Sequence, residues 1–598
     1  MSTAPDKLVR LREALEEKGI HAYIIPSADP HLSEYIPDHW RIINWLTGFT
    51  GSSATVVITD SFAGLWTDSR YFIQAEMQLP GSGFELVKPK AFQNTDFIDW
   101  LSGSLENECT IAFDDRILSI NQVRKLQKRL SSKNISFDTE CDLISELWTD
   151  RPPMPDSVAF DHPLEFCGKD RMIKIAEVRE KMKEMKVNYH LLTSIDDIMW
   201  MLNIRGNDIK YSPLLTSFVI VGEEQTLLFA DESKIPLKLA SEFDTLKIVM
   251  LPYEETAAML STLPKKASTL INPSSTSAGL FNAITKGMRI VEDISIPTIL
   301  KAVKNKTEIA NISRVMVKDG VALTKFFYWF DENHGKTEIN ELSISDKLLE
   351  FRSEQKNFIG PSFETIAAYG EHASQPHYSV AKDTASIIGE KGILLIDSGG
   401  QYLDGTTDIT RTIAIGVPSS QQKRDFTLVL KGMISLARAK FPLGTKGYQL
   451  DILARKALWD HGLNYGHGTG HGVGFFLNVH EGPQNIGTSA IADNKSIIEP
   501  GMLFSNEPAI YREGEYGIRT ENLMICYEDE ETEFGQFLKF DTVSLCHIDK
   551  TLIDKSLLDE SEIGWLNFYH SEVYEKLSPF LSDSEKQWLK EKTEPLSI

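Results

Sequence analysis

The chain has 598 residues and a mass of 67.4 kDa, whereas a single hydrophobic core stops growing near roughly 250–300 residues. We therefore expect two or three domains. Apolar residues make up 42% and charged residues 25%, as in soluble globular proteins. The net charge of -23 disfavours a nucleic acid as partner, because its phosphate backbone is also negative, and solubility is the simpler interpretation of the acidic excess.

The cysteines and the chain ends indicate a cytoplasmic protein. Five cysteines occur, odd in number and without a CxxC pair, so they indicate neither a disulfide framework nor a thiolate zinc site. The start, MSTAPDKLVRLREALEEKG, is a charged amphipathic helix rather than a secretory signal. No apolar run is long enough to cross a membrane, and the end, KQWLKEKTEPLSI, lacks the hydrophobic tail of a lipid-anchor signal. We expect no membrane attachment.

An internal repeat organises the first half of the chain. Residues 8–26 predict a helix that ends near a glycine and leads into a strand, and residues 175–193 repeat this design. Each copy is followed by a Trp-containing apolar stretch, a Gly-bearing loop and a hairpin-like strand pair ending in TD or AD. The repeat predicts two tandem α/β domains, residues 1–160 and 161–305, joined near the Pro-rich DRPPMPDSVAFDHP.

The third region, residues 306–598, predicts an α+β domain. It opens with a long run of helix formers. Strand-like runs then alternate with helical stretches and predict an antiparallel sheet flanked by helices. These runs are GILLIDSGG, TTDITRTIAIG, GMLFSNEPAIY and GIRTENLMICYE. An extension from about residue 546 contains amphipathic helices with many aromatic residues, which fit an interface and a packed tail equally well.

Four carboxylates interrupt the apolar strands of this region. Asp397 ends one strand, Asp408 lies on the next, Glu507 ends a third and Glu521 lies inside a fourth. Taken singly, the aspartates fit turn residues and the glutamates fit a half-exposed sheet. A buried carboxylate must, however, be paired, hydrogen-bonded or bound to metal. Four of them within about 125 residues favour a cation site.

Between these strands lies NYGHGTGHGVG, in which His467 and His471 stand four residues apart among five glycines. The stretch does not match the phosphate-binding pattern GxxxxGK[ST], and the glycines disfavour the helix of an HExxH zinc site. Its place between carboxylate-bearing strands disfavours a linker. Carboxylate oxygens with one imidazole suit Mn, Co, Fe or Zn, and two such ions about 3.5–4 Å apart could share these ligands.

The five residues follow in the order Asp397, Asp408, His471, Glu507 and Glu521, within LLIDSGGQYLDGTTDITRT, GHGTGHGVG, SNEPAIY and GIRTEN. This order resembles the dinuclear site of the pita-bread metallopeptidases, among them methionine aminopeptidase, prolidase and the Xaa-Pro aminopeptidases. With two creatinase-like N-terminal domains, the resemblance to the long cytosolic Xaa-Pro aminopeptidases covers the whole chain. It implies a pita-bread catalytic domain, two divalent metal ions per subunit (Mn foremost, Zn or Co as alternatives) and a homodimer through that domain.

Further residues match positions of this family. His377 in EHASQPHYS, His467, and His480 in FLNVHEGP fall where the family has substrate-binding or catalytic imidazoles. Arg519 matches an arginine that orients the acidic ligands. Arg70 in LWTDSRYF matches a residue of the N-terminal domain that is implied to reach the active site and bind substrate.

The resemblance also implies the reaction. A hydroxide that bridges the two metal ions would attack the bond between the first residue and a proline in second position. Glu507 would be proton shuttle as well as ligand, His480 would stabilise the oxyanion, and His467 or His377 would hold the proline side. Proline matters because its amide is tertiary and its ring fixes φ, so ordinary peptidases fit it badly.

Three other functions fit the sequence less well. Prolidase uses the same ligands on Xaa-Pro dipeptides only, but prolidases of this kind have one N-terminal domain where this chain predicts two. Creatinase shares the fold without metal and lacks the full acidic set. A catalytically inactive pita-bread binding module is disfavoured because all five ligand positions are intact.

Overall fold

The computed structural model describes residues 3–88, 96–489 and 496–597. The chain divides into two compact units. The N-terminal unit comprises residues 1–161 and 169–297, and the C-terminal unit comprises residues 162–168 and 298–598. Across the described ranges, no helix has the length and apolar character needed to span a membrane.

The N-terminal unit contains two six-stranded sheets that share one topology. In each, the second, third and fourth strands across the sheet pair antiparallel and the outer pairings are parallel. The first sheet has the order Glu85–Val87, Ala63–Thr67, Ala54–Thr59, Ala22–Pro26, Thr110–Ala112 and Ser136–Asp138. The second has the order Ile248–Leu251, Thr226–Phe229, Phe218–Gly222, Tyr189–Leu192, Ser268–Ile271 and Arg289–Glu292. The predicted α/β repeat is confirmed.

The first helix illustrates how the repeat forms. The side chain of Thr3 accepts a hydrogen bond from the amide of Asp6 and caps the helix. Leu8, Leu11 and Leu15 follow at helical spacing and are buried in one core with the alternate residues of the first sheet. The helices of this unit are Ala4–Glu17, Ile42–Thr47, Phe72–Gln78, Phe97–Ser104, Ile120–Leu130, Leu143–Leu147, Arg171–Glu184, Ile195–Leu202, Leu237–Thr245, Thr256–Thr262 and Ala278–Ala283. The short strands Phe160–Asp161 and Ile204–Arg205 also pair.

The C-terminal unit is an α+β fold in which every strand pairing is antiparallel among the described residues, as predicted. Its largest sheet has the order Lys440–Pro442, Gly535–Thr542, Asn522–Thr532, Leu503–Asn506, Gly470–Gly472 and Glu481–Ile486. Two three-stranded sheets have the orders Ile366–Tyr369, Gly392–Ser398, Ile409–Ile415 and Phe358–Pro361, Gly400–Tyr402, Gly405–Thr406. The strands Ala509–Arg512 and Tyr516–Arg519 form a separate pair.

Helices cover these sheets. The longest has 28 residues and begins at a capping box, in which the side chain of Asn305 accepts from the amides of Thr307 and Glu308. The helices of this unit are Leu164–Cys167, Lys306–Asn333, Glu341–Ser353, Ser420–Ala437, Gly447–Trp459, Glu560–Leu577 and Asp583–Thr593. The helix Ile296–Ala302 spans the boundary in sequence between residues 297 and 298.

The C-terminal extension is packed against the rest of its unit through a buried arginine. The guanidinium of Arg411 donates to the carbonyl oxygens of Cys546 and His547, at 2.9 and 3.0 Å, and to the hydroxyl of Tyr569 at 2.8 Å. The same group donates to the carbonyl oxygen of Glu521 at 2.6 Å. The extension therefore supports the backbone that carries a candidate ligand. That the extension also forms part of an interface between subunits stays a prediction.

We expect Leu566→Ala to lower the free energy of unfolding of this unit by about 2–5 kcal/mol, since a buried leucine is replaced by a cavity. Leu566 is fully buried in a core with residues of the helix Ser420–Ala437. Phe568→Ala is the matched control, since Phe568 lies on the same helix but is 66% exposed. It should change the free energy of unfolding by less than about 0.5 kcal/mol. Urea unfolding followed by fluorescence measures both, and equal effects would contradict this packing.

Candidate metal centre

Predicted ligands converge in the C-terminal unit. One ligand atom each of Asp408, His471 and Glu521 lie within 4.8 Å of one another, close enough to hold one cation. Nε2 of His471 is 3.5 Å from Oδ2 of Asp408 and 3.5 Å from Oε1 of Glu507. Asp408 and Glu507, which are 99 positions apart in sequence, therefore lie beside one imidazole.

Hydrogen bonds join Asp397 to the same cluster. Asp397 lies opposite Thr410 across the strands Gly392–Ser398 and Ile409–Ile415. The hydroxyl of Thr410 donates to Oε2 of Glu521 at 2.7 Å. Arg519 donates from Nε to the Thr410 hydroxyl at 3.1 Å and from Nη2 to Oδ2 of Asp397 at 2.6 Å. All five predicted ligand residues thus belong to one connected site.

Two details of the strand prediction are wrong. Glu521 does not lie inside a strand but in the break between Tyr516–Arg519 and Asn522–Thr532. Asp408 immediately precedes the strand Ile409–Ile415 instead of lying on it. The physical reason for the first is a change of partner, because the chain leaves a two-stranded pair and enters the six-stranded sheet at this point.

The glycine-rich stretch is not helical, as predicted, and three of its residues form the short strand Gly470–Gly472. A Cβ on Gly470 would lie 2.1 Å from the carbonyl oxygen of Ser505, and a Cβ on Gly472 would lie 2.2 Å from that of Glu481. Only glycine allows the neighbouring strands to approach so closely. This approach brings His471 next to the strand Leu503–Asn506, which Glu507 follows.

The ring of His471 is oriented for ligation. Its Nδ1 lies 2.9 Å from the carbonyl oxygen of Gly472, which can only accept, so Nδ1 carries the proton. Nε2 then presents its lone pair toward Asp408 and Glu507 in the neutral tautomer. A backbone carbonyl that fixes the tautomer in this way is typical of histidine ligands.

The pKa values of the site show that its ionised carboxylates are unfavourable without additional positive charge. Burial raises the pKa of Glu507 to about 7, although His471 and Arg519 act in the opposite sense. Burial, reinforced by Asp408, raises the pKa of Glu521 well above its ordinary value. Burial would lower the pKa of His471, but Asp408 and Glu507 raise it to about 9.

The donor set fits divalent cations. The buried Oδ1 of Asp397 has no hydrogen-bond partner among the described residues. Buried carboxylates this close together cannot all ionise against one arginine, whereas cations among them would compensate their charge. Hard oxygen ligands with one imidazole suit Mn, Co, Fe or Zn.

A tyrosine that the sequence analysis missed connects His467 to this site. Nε2 of His467 is 2.9 Å from the hydroxyl of Tyr511, and that hydroxyl accepts from Nη1 of Arg519 at 2.5 Å. Nδ1 of His467 is 2.7 Å from the carbonyl oxygen of Gly468. Both ring nitrogens are therefore engaged, and a hydrogen bond to substrate has to replace one of these. Only the position of Tyr511, four residues after Glu507, hinted at this link.

The remaining predicted residues differ in how they relate to the site. The rings of His480 and His471 meet edge to face, with centroids 4.3 Å apart. His377 is half-buried and follows Pro376, whose carbonyl oxygen lies 3.4 Å from Nη2 of Arg519. Arg70 lies in the N-terminal unit, where it donates two hydrogen bonds to Asp68 at 2.8 and 2.7 Å. Its role at the active site stays a prediction.

Comparison with known families identifies the class of protein. Residues 310–528 match metallopeptidase family M24, and residues 536–596 match the C-terminal region of peptidase M24. Residues 7–144 and 150–308 match two families described as the creatinase/prolidase N-terminal domain. The candidate metal centre thus lies in the part of the chain that matches a metallopeptidase family.

Full-length relatives narrow this class. The chain is 36% identical to a probable Xaa-Pro aminopeptidase P of Paracoccidioides brasiliensis, with 99% of both chains covered. It is 38% identical to that of Laccaria bicolor, with 99% of this chain and 93% of the relative covered. The X-prolyl aminopeptidase of Caenorhabditis elegans, described as a cytosolic enzyme with a dinuclear active site, matches with a TM-score of 0.95, 35% identity and all of both chains covered. The chain belongs to the Xaa-Pro aminopeptidase P family.

Metal affinity should rise with pH between about 6 and 9. Without metal, His471 with a pKa of about 9 and Glu507 with a pKa of about 7 carry protons at low pH that a cation must displace. As the pH rises through these values the protons leave, so binding strengthens and then levels off. Titration of the metal-free protein with Mn²⁺ against a competing chelator measures this. His461→Gln, which changes an exposed histidine, should behave as the wild type, and a pH-independent affinity would contradict the assignment.

Proposed function

We propose that the protein is a metal-dependent aminopeptidase that releases the N-terminal residue from peptides with proline in second position. The observation that carries the proposal is one buried site formed by four carboxylates and an imidazole, Asp397, Asp408, Glu507, Glu521 and His471. The full-length relatives named Xaa-Pro aminopeptidase P support the substrate class.

The five residues of this site would hold two divalent cations, with Mn foremost and Zn or Co as alternatives. His471 would bind through Nε2, since its Nδ1 is committed to a backbone carbonyl. The chemistry that divalent cations supply in such a site is acidification of a water molecule and polarisation of the substrate carbonyl. Arg519 keeps the carboxylate of Asp397 in place, and Thr410 does the same for Glu521.

Glu507 is the proposed proton carrier. Its carboxylate oxygen Oε1 lies 3.5 Å from Nε2 of the ligand His471, so it would stand beside the reacting water, where a carboxylate can take up a proton and pass it on. Its backbone is fixed because its amide donates to the carbonyl oxygen of Thr469 at 2.8 Å. The proton would go to the nitrogen of the departing proline, which needs it in order to leave as an amine.

Histidines and an arginine would bind the peptide. His480, beside the ligand His471, would donate to the oxygen that becomes negative in the tetrahedral transition state. His377 or His467 would hold the proline side of the scissile bond. We also assign Arg70 to substrate binding, by resemblance alone.

We propose in addition that the protein is a cytosolic homodimer that associates through its C-terminal unit. The cytosolic location is supported by the description of the related enzyme from Caenorhabditis elegans. Light scattering after gel filtration gives the mass directly. A mass of one chain across micromolar concentrations would exclude the dimer.

Substrate specificity distinguishes the proposed aminopeptidase activity from that of a prolidase. With Mn²⁺, an Arg-Pro-Pro peptide should be cleaved after its first residue, and its counterpart with alanine in second position should have a kcat/KM lower by about 10²-fold or more. A Xaa-Pro dipeptide, assayed beside the tripeptide, should not be the preferred substrate. Strict preference for the dipeptide would favour the prolidase function, and no cleavage of any of them with Mn²⁺ or Co²⁺ would favour an inactive binding module.

Replacement of Glu507 tests the proton carrier. Glu507→Ala should lower kcat by about 10²-fold or more, since both proton transfer and a ligand are lost, while the protein stays folded. Glu513→Ala removes an exposed glutamate of the neighbouring turn and should leave kcat unchanged. Steady-state kinetics, with circular dichroism and metal analysis of each variant, measures this. Near-normal turnover of Glu507→Ala would remove Glu507 from the mechanism.

A further inference from the structure

A buried glutamate outside the ligand cluster collects hydrogen bonds from one loop. Glu341 is the first residue of the helix Glu341–Ser353 and is fully buried. Its carboxylate accepts from the amides of Tyr369 and Ser386, each at 2.8 Å, and from the hydroxyl of Tyr378 at 3.0 Å. Nδ1 of His372 lies 2.9 and 3.0 Å from its two oxygens. All four donors belong to residues 369–386, which we call the 369–386 segment.

This arrangement is more than a buried ion pair. Both oxygens of Glu341 are engaged by donors from positions seventeen residues apart, so one carboxylate closes the whole segment into a loop. The rings of His372 and Tyr378 stack on each other, with centroids 4.5 Å apart. The contact with Glu341 raises the pKa of His372, so the imidazole is charged over a wider pH range and its hydrogen bond is charge-assisted.

The other side of the segment lies against the strand that carries Arg519. A Cβ on Gly517 would lie 1.8 Å from the carbonyl oxygen of Ala373, so the two backbones are in direct contact. The carbonyl oxygen of Pro376 lies 3.4 Å from Nη2 of Arg519, the same nitrogen that binds Asp397. His377 comes directly after Pro376.

We propose that Glu341 is a positioning residue for the peptidase reaction. It fixes the 369–386 segment at both ends, and thereby sets where His377 stands relative to Arg519 and the ligand cluster. Glu341 itself contacts neither the ligands nor Arg519 in any described hydrogen bond, so it acts through the segment. The inference rests on the proposed function, because positioning matters only if His377 contacts the peptide.

The most conservative test is Tyr378→Phe, which removes one hydrogen bond to Glu341 and keeps the ring that stacks on His372. Because loss of orientation lowers reaction rates steeply, we expect kcat/KM for the Arg-Pro-Pro peptide to fall about tenfold, with metal content and melting temperature as in the wild type. Glu341→Gln should cause a larger fall.

Ser379→Ala is the matched control. It removes a hydroxyl from the adjacent residue of the same segment, where that hydroxyl donates to the exposed Glu364 at 2.9 Å. We expect its kcat/KM to equal that of the wild type. If Tyr378→Phe behaves like Ser379→Ala, the inference is overturned.

A double-mutant cycle with His377→Ala separates positioning from general destabilisation. If Glu341 acts through His377, Tyr378→Phe should cause no further loss of kcat/KM once His377 is alanine. If Tyr378→Phe lowers kcat/KM by the same factor with His377 as with alanine at that position, the hydrogen bond stabilises the protein without acting through His377. That result would overturn the inference.

Hydrogen exchange provides a measurement that does not depend on activity. In the metal-bound protein, Tyr378→Phe should speed exchange of amides in the 369–386 segment, while those of the strand Leu503–Asn506 stay protected. Unchanged exchange in the segment would sink the positioning role whatever the kinetics. A wild-type protein that cleaves none of the peptides would instead refute the proposed function.

Discussion

The C-terminal unit is built around the electrostatic cost of placing several carboxylates in one buried site. When ionised, these carboxylates repel one another; they belong to Asp397, Asp408, Glu507 and Glu521. Burial raises the pKa of both Glu507 and Glu521. Arg519 is the cation that the described residues provide beside Asp397. Divalent cations would complete the charge balance, so the repulsion between these carboxylates is also what favours metal binding.

Hydroxyl groups connect the charged side chains of this site. The hydroxyl of Thr410 donates to Glu521 and accepts from Arg519, so it links an acidic residue to the arginine. Tyr511 connects His467 to Arg519, and through Arg519 to Asp397. The candidate substrate-binding histidine is therefore part of the hydrogen-bond network of the ligands. A shift of His467 toward a peptide would change the hydrogen bonding of Arg519.

The candidate ligands could be predicted because each creates a local conflict that is visible in the sequence. A carboxylate at the end of an apolar strand is costly wherever the strand packs, and the glycines around His471 imply close backbone contact. The tandem α/β repeat was likewise visible, since its helical and strand periodicities are local. These local patterns indicated a cation site and a repeated α/β unit, whereas the five ligand positions and the two domain types were implied by the resemblance to the pita-bread metallopeptidases.

The supporting interactions could not be predicted, because their partners are distant in sequence. No sequence pattern near Glu341 indicates that its carboxylate accepts hydrogen bonds from residues up to 45 positions away. The break that places Glu521 between strands arises from a change of pairing partner, which depends on the whole sheet. In the sequence, Tyr511 has the pattern of any aromatic residue in a strand. Only the structure shows that its hydroxyl lies between His467 and Arg519.

The buried Arg411 has a consequence for the C-terminal extension. One guanidinium donates to the backbone of Glu521 and also to Cys546, His547 and Tyr569, so it links a candidate ligand to the C-terminal extension. A chain without the extension would leave the buried guanidinium of Arg411 without three of its acceptors, at Cys546, His547 and Tyr569. It would have to replace Arg411, and with it a support of Glu521. The extension is thus a condition for the support that Arg411 gives to the backbone of Glu521.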